Sequence, residues 1–279
     1  MGRLKAFFTK EKIHAFLIHL GISLIIFSII LYFILVEWYP QPLFGTDGGW
    51  QGIQIIAFVD IVLGPLLTLV VYKKGKHRLK MDLSIIAIIQ FSALLSGILI
   101  VYGEHPVAIV IMDNRLNPIT AYQVDEAGID LTSLKQYSDL HPPMIFLHLP
   151  ENPDELFKLR TKTMREGKEL KLNGELYEKL TQKNKNKLIR NSMSVDDFLK
   201  NKSNKSRKES ELILYKNFLK ENKYKDHSLI YFPLYSRYKF GIAVLDSGTF
   251  EMLDILDIFP PQVSEEIKRI NNSKDKLIK

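Results

Sequence analysis

The stretch 49–80, "GWQGIQIIAFVDIVLGPLLTLVVYKKGKHRLK", decides how the chain is read. Most of it is apolar enough to cross a bilayer, and its end carries Lys73, Lys74, Lys76, Arg78 and Lys80. A membrane-crossing helix needs ~20 apolar residues. Three runs meet that length: 14–36, 51–72 and 83–102. Asp60 stands near the middle of the second, where an ionised carboxylate costs several kcal/mol and is read as functional by default.

The first run is not a cleavable signal. Its apolar part is too long, and "VEWYP" offers no small-residue cleavage site, so it is read as a retained helix. Orientation follows from the loops. Arg3, Lys5, Lys10 and Lys12 precede the first run, the second loop is basic, and "EWYPQPLFGTDGGW" (37–50) lacks Lys and Arg. Excess Lys and Arg marks cytoplasmic loops. The expected topology is a cytoplasmic segment 1–13, a three-span anchor over 14–102, and everything after it outside. Trp38, Tyr39 and Trp50 flank the outer loop and are expected to be interfacial anchors.

The average composition, 46% hydrophobic and 25% charged over 279 residues, joins two unlike parts. The first hundred residues are rich in Ile, Leu, Val and Phe, and the remainder holds most of the charge. A net charge of +7 does not point to nucleic acid here, because basic residues are dispersed among acids. Cysteine is absent, which excludes disulfides, thiolate zinc sites and a Cys nucleophile.

After the third run the pattern changes. "PVAIVIM" (106–112) is short and β-branched, a buried strand. "DNRLNP" is expected to turn and "ITAYQV" to form a second strand. A short helix is expected over 130–137, a strand at "MIFLHL", and helices over "PDELFKLRTKTMREGKELKL" and "GELYEKLTQKNKNKLIRN". Ser194 is a candidate cap, and Ser206 with Glu209 has capping-box spacing. Strands are expected at 229–235 and 239–246. The fold class is therefore a membrane protein, a three-helix transmembrane anchor followed by an α+β extracytoplasmic domain over 103–262, whose first and last hairpins are expected to share one sheet. A helical or disordered tail, 263–279, ends the chain.

No phosphate-binding loop, nucleophile elbow or H-E-x-x-H motif occurs. The paired acids Asp196–Asp197 and Glu265–Glu266 suit helix first turns. No catalytic, cofactor or metal residue is assigned. Asp60 admits two readings. In one, a neutral carboxyl bonds Ser28 or Ser96, which fall at a similar depth at ~1.5 Å per residue. In the other, it faces a polar group on a partner helix. One turn further, Gly64 precedes Pro65, which removes the amide that would bond Ile61, so a kink is expected. Asp60, Gly64, Pro65, Ser28 and Ser96 form the candidate intramembrane set.

In order and spacing, "YPQPLF…DGGWQGI" (39–53), "VDIVLGPLLTLVVY" (59–72), "KHRLKMDLSIIAIIQ" (76–90) and "HPVAIVIMDNR" (105–115) resemble the type IV pilin accessory proteins, TfpX/TfpZ. The resemblance covers roughly residues 10–125. It implies a bacterial inner-membrane chaperone without enzymatic activity or cofactor. Its partner would be a type IV major pilin, engaged at the membrane helix and the periplasmic head, with pilus assembly platform proteins as further partners. The family's partner helix carries an acid in its apolar segment, so protonated Asp60 could share a hydrogen bond with it. The alternatives are a membrane-anchored extracytoplasmic sensor or a subunit of another envelope complex. The absence of a cytoplasmic output domain disfavours the sensor.

Overall fold

A computed structural model describes residues 9–192, 194, 195, 199, 205–221, 223, 224 and 228–258. The expected tail 263–279, the acid pairs at 196–197 and 265–266 and most of the helix after Ser194 lie outside these residues. The chain forms two units: Met1–Pro40 with Gly48–His105, and Gln41–Asp47 with Pro106–Lys279.

Among its described residues the first unit contains three helices long and apolar enough to cross a membrane, Lys10–Trp38, Gly49–Val71 and Leu79–Gly103. The first closes in a π-helical segment, Phe33–Trp38. The second is α-helical over Gly49–Ala57, π-helical over Phe58–Leu63 and α-helical again over Gly64–Val71. Each presents one buried stripe at the three- and four-residue spacing of a helix face. On the first helix it is Ser23, Ile30 and Ile34; on the second, Gly52, Ile56, Asp60, Gly64 and Thr68; on the third, Ile86, Leu94, Gly97 and Val101. Small residues permit the close approach that membrane helices use in place of a hydrophobic drive. A Cβ on Gly52 would sit 3.0 Å from both methyls of Val101.

The second unit is built on a mixed sheet of β1 (Pro106–Met112), β2 (Arg115–Thr120), β3 (Met144–Leu147), β4 (Tyr177–Glu178), β5 (Leu229–Tyr235), β6 (Phe240–Asp246) and β7 (Met252–Leu256). Their order is β4-β3-β1-β2-β5-β6-β7. The β1–β3 and β2–β5 pairs are parallel and the others antiparallel. The hairpins β1–β2 and β5–β6 thus share one sheet, joined at the pair Leu116↔Leu234. Both seam strands contain proline, Pro118 and Pro233, which cannot donate a ladder bond.

Alternate side chains of β1 enter different cores, which is why its sequence is apolar throughout. Ile109 and Ile111 join Leu116, Phe232, Leu245 and Leu188 on one face. Ala108 and Val110 meet Val124, Leu134 and Leu147 on the other. At the β6 end that second face is covered by Leu212, Tyr215 and Phe218 of the helix Lys205–Glu221, packed against Ile242 and Val244. Among the described residues, the α-helices of this unit include α1 (Ala121–Glu126), α2 (Pro153–Arg165), α3 (Gln182–Arg190) and α4 (Lys205–Glu221).

Several local expectations need correction. The turn after β1 occupies only Asp113 and Asn114, at φ 52° and 56°, residue types that tolerate left-handed backbone. Strand β2 therefore starts at Arg115, and "AYQV" opens α1. Thr120 caps α1 with Gln123 in a reciprocal capping box. The 130–137 segment is a 3-10 helix, Leu131–Tyr137. "GELYEKL" is a 3-10 turn and the short β4 rather than a helix. Ser206 lies inside α4, which already includes Lys205. β7 had no counterpart among the expected strands.

Candidate functional site

Asp60 is 1% exposed, turned into the bundle from the π-helical segment. Its Oδ1 accepts the Ser23 hydroxyl at 3.1 Å and the Gln90 side-chain amide at 3.0 Å. One carboxylate thus receives a donor from each of the other two helices. Burying it without donors would cost several kcal/mol, so the three residues act as a unit. Asp60 Oδ2 and Gln90 Oε1 are buried without a hydrogen-bond partner among the described residues.

The backbone explains why the polar centre falls here. The Gly64 amide donates to Val59, five residues back, rather than to Asp60. Pro65, five residues after Asp60, has no amide to offer. The Asp60 carbonyl is passed over by both, and Gln90 Nε2 lies 3.5 Å from it. The backbone ahead of Pro65 is a π-helical segment, Phe58–Leu63, a feature common at functional positions. Gly64 completes the arrangement, since a Cβ there would overlap the Gln90 amide.

Ser28 and Ser96 are not the partners of Asp60. Both are exposed and donate to carbonyls of their own helices, Leu24 at 2.7 Å and Ser92 at 2.8 Å. Counted from residues 14 and 83, Ser28 and Ser96 match Asp60 in depth, whereas the helices begin at Lys10 and Leu79. Four extra residues shift a helix by ~6 Å, which brings Ser23 and Gln90 to the level of Asp60. Both were legible as polar positions inside apolar runs, as was Thr68. The Thr68 hydroxyl pairs with His19 Nδ1 at 2.6 Å, nearer the basic end.

The aromatic residues at the other end divide. Trp50 is 56% exposed. Trp38 is half-buried and packs edge-on against Tyr102, with ring centroids 5.4 Å apart. Tyr39 is fully buried, donating its hydroxyl to the Val101 carbonyl at 2.9 Å. It ties two helices together and does not face outward.

The second unit holds a feature absent from the sequence reading. Residues Gln41–Asp47, between the first and second helices, pack within the sheet unit. Leu43 is 1% exposed in its core with Ile109 and Phe232. The Thr46 carbonyl accepts the Tyr238 amide at 3.0 Å, fastening the segment to the β5–β6 turn. Asp47 is also buried and accepts the Thr46 hydroxyl at 2.8 Å. Burial pushes the Asp47 carboxyl above its ordinary range, opposed by Thr46, Ser236, the Arg237 backbone and the charge of Lys171. The Ser236 hydroxyl has no partner at hydrogen-bond geometry among the described residues. Among the described residues no group of three His, Asp or Glu side chains could hold a metal ion.

Three helices long and apolar enough to span a membrane are thus knit by a polar seam and followed in sequence by a mixed sheet. The chain belongs to the family of fimbrial assembly proteins. It is 35% identical over 96 residues to the fimbrial assembly protein of serogroups C1 and C2 of Dichelobacter nodosus, which covers 33% of this chain and 72% of that protein. It is 31% identical over 125 residues to the serogroup I protein, covering 43% of this chain and 48% of the relative. The serogroup E1 protein is 34% identical over 96 residues, 33% of this chain and 37% of its own length. The chain therefore spans about half the length of the serogroup I relative. No family model matches the chain, and no solved structure does.

Proposed function

We propose that this protein is an inner-membrane accessory protein of type IV pilus biogenesis, a chaperone of the TfpX/TfpZ kind that stabilises a cognate pilin and promotes its assembly. The observation that carries the reading is the likeness to proteins named for fimbrial assembly. The basic loop and N-terminus lie in the cytoplasm in this reading, and the sheet unit lies in the periplasm, following the distribution of Lys and Arg.

The pilin's apolar helix rests against the outer faces of the three helices, where Ile25, Ile29, Phe58, Ile88 and Phe91 are exposed. Such faces suit a helix that must be kept in the membrane until assembly. Asp60 contributes by position: with Ser23 and Gln90 it holds the three helices in the arrangement the pilin meets. The sheet unit engages the pilin head, and the platform proteins receive the pilin afterwards. The action is binding, without catalysis or cofactor.

The test is pilin abundance and site-specific crosslinking in cells. Loss of this protein should lower the level of its pilin, and photo-crosslinkers at Ile29 or Ile88 should capture it. Unchanged pilin abundance and piliation without the protein would refute the reading.

A further inference from the structure

The first unit contains a cavity of about 760 Å³ between all three helices, at the end that carries the basic loop. Its walls change character with depth. Lys10 opens the first helix, Lys74 follows the second, and His14 lies one turn in. Nine to twelve residues along the first helix, ~14–18 Å from Lys10, the lining becomes His19, Ile22 and Ile86, with the His19 ring bonded to Thr68. The titratable groups facing the cavity are Lys10, Glu11, His14, His19, Tyr72 and Lys74. Two lysines against one glutamate leave positive charge at its entrance.

A charged entrance leading to an apolar interior, between helices of spanning length, has the shape of an amphiphile with its head at the bilayer surface. We propose that this cavity binds an anionic phospholipid, its phosphate between Lys10 and Lys74 and the start of an acyl chain against Ile22 and Ile86. Charge complementarity selects the occupant, since basic pockets between membrane helices hold anionic headgroups. A size of 300–1,000 Å³ is ordinary for a bound small molecule. The bound lipid would fill the space between the first and third helices below the Asp60 seam. This inference rests on the three helices crossing a membrane.

The test uses the full chain in nanodiscs of phosphatidylcholine with or without phosphatidylglycerol, followed by native mass spectrometry of retained lipid. Phosphatidylglycerol should be retained over phosphatidylcholine. Lys10→Gln and Lys74→Gln should each reduce that preference about fivefold, whereas Lys80→Gln, outside the cavity, should not. Ala87→Trp, which fills the cavity without changing charge, should abolish retention and keeps the test valid where a lysine variant misfolds. Equal retention of the two lipids, an equal effect of Lys80→Gln, or full retention by Ala87→Trp would each overturn the proposal. Failure to enter nanodiscs of either composition would instead refute the membrane-spanning reading beneath it.

Discussion

Gly64 and the side-chain amide of Gln90 occupy adjoining space so closely that a Cβ on the glycine would overlap the amide. The same amide donates to Asp60 at 3.0 Å. The absence of a side chain on one helix therefore permits the hydrogen bond between two helices.

Gly64→Ala should displace Gln90, because the end of a long side chain moves more readily than a helix. The expected loss is the interhelical hydrogen bond, about 0.6–1.7 kcal/mol. A double-mutant cycle with Gln90→Ala checks this, by measuring unfolding of the full chain in detergent. Strong non-additivity is expected, since both substitutions remove one contact. Additive effects would separate Gly64 from Gln90.

Asp60→Asn and Asp60→Leu should differ sharply. Asparagine keeps an oxygen that can accept from Ser23 and Gln90, and leucine removes the side-chain acceptor of both donors. Each stranded group costs about 1–3 kcal/mol, so the leucine variant should unfold at lower denaturant and the asparagine variant should stay near wild type. Pilin abundance should follow the same order. Equal stability of the two variants would remove the seam as the organising element.

Asp47 gives the sheet unit a dependence on pH. Its carboxyl is pushed above the unfolded value of 3.8 by burial, so the folded state binds the proton more tightly than the unfolded chain. Stability from this group is therefore fully present below the unfolded value, declines as pH rises through the folded value, and is level above it. Asp47→Asn can still accept from Thr46 and does not ionise. The gap in denaturation midpoint, variant over wild type, should open in the variant's favour as pH rises from 4 and then plateau. A gap that stays constant with pH would dismiss the effect.

Leu43→Ala should destabilise the sheet unit by about 2–5 kcal/mol, the range for emptying a buried leucine position. The consequence should appear at the β5–β6 turn, because Thr46 holds the Tyr238 amide. Hydrogen exchange of full-length protein should show the Tyr238 amide losing protection, and Phe44→Ala, at a half-buried position in the same segment, should have less effect.

Much of the architecture is legible from local chemistry. The run "PVAIVIM" becomes β1 over the expected residues, and Leu229–Tyr235 with Phe240–Asp246 forms the later hairpin. In both cases dense β-branched or aromatic residues lie between clear turn residues. The second strand was misplaced because "DNRLNP" looks like one long turn. Tertiary pairing with β1 and β5 overrides that local preference at Arg115–Pro118. The capping box of Thr120 and Gln123 was a readable signal for where that strand must stop.

The candidate site was half legible. Asp60 stands out in any hydropathy reading, because a carboxylate in an apolar run needs an explanation. Its partners depend on where each helix begins, and a four-residue offset in the start of the first helix makes Ser23 rather than Ser28 the match in depth. Composition cannot supply that offset, since Lys10 and Leu79 open their helices among charged residues that a hydropathy window trims away.

By itself, then, the amino-acid order determined three apolar helices, the asymmetry of charge between their loops and the presence of an acid to be satisfied, because these follow from side-chain chemistry and local periodicity. Only the tertiary structure decided which donors meet that acid, that Tyr39 turns inward, and that Gln41–Asp47 belongs to the sheet unit. Those outcomes depend on contacts between residues far apart in sequence, such as Ser23 with Asp60 and Thr46 with Tyr238, and distance in sequence carries no record of proximity in space.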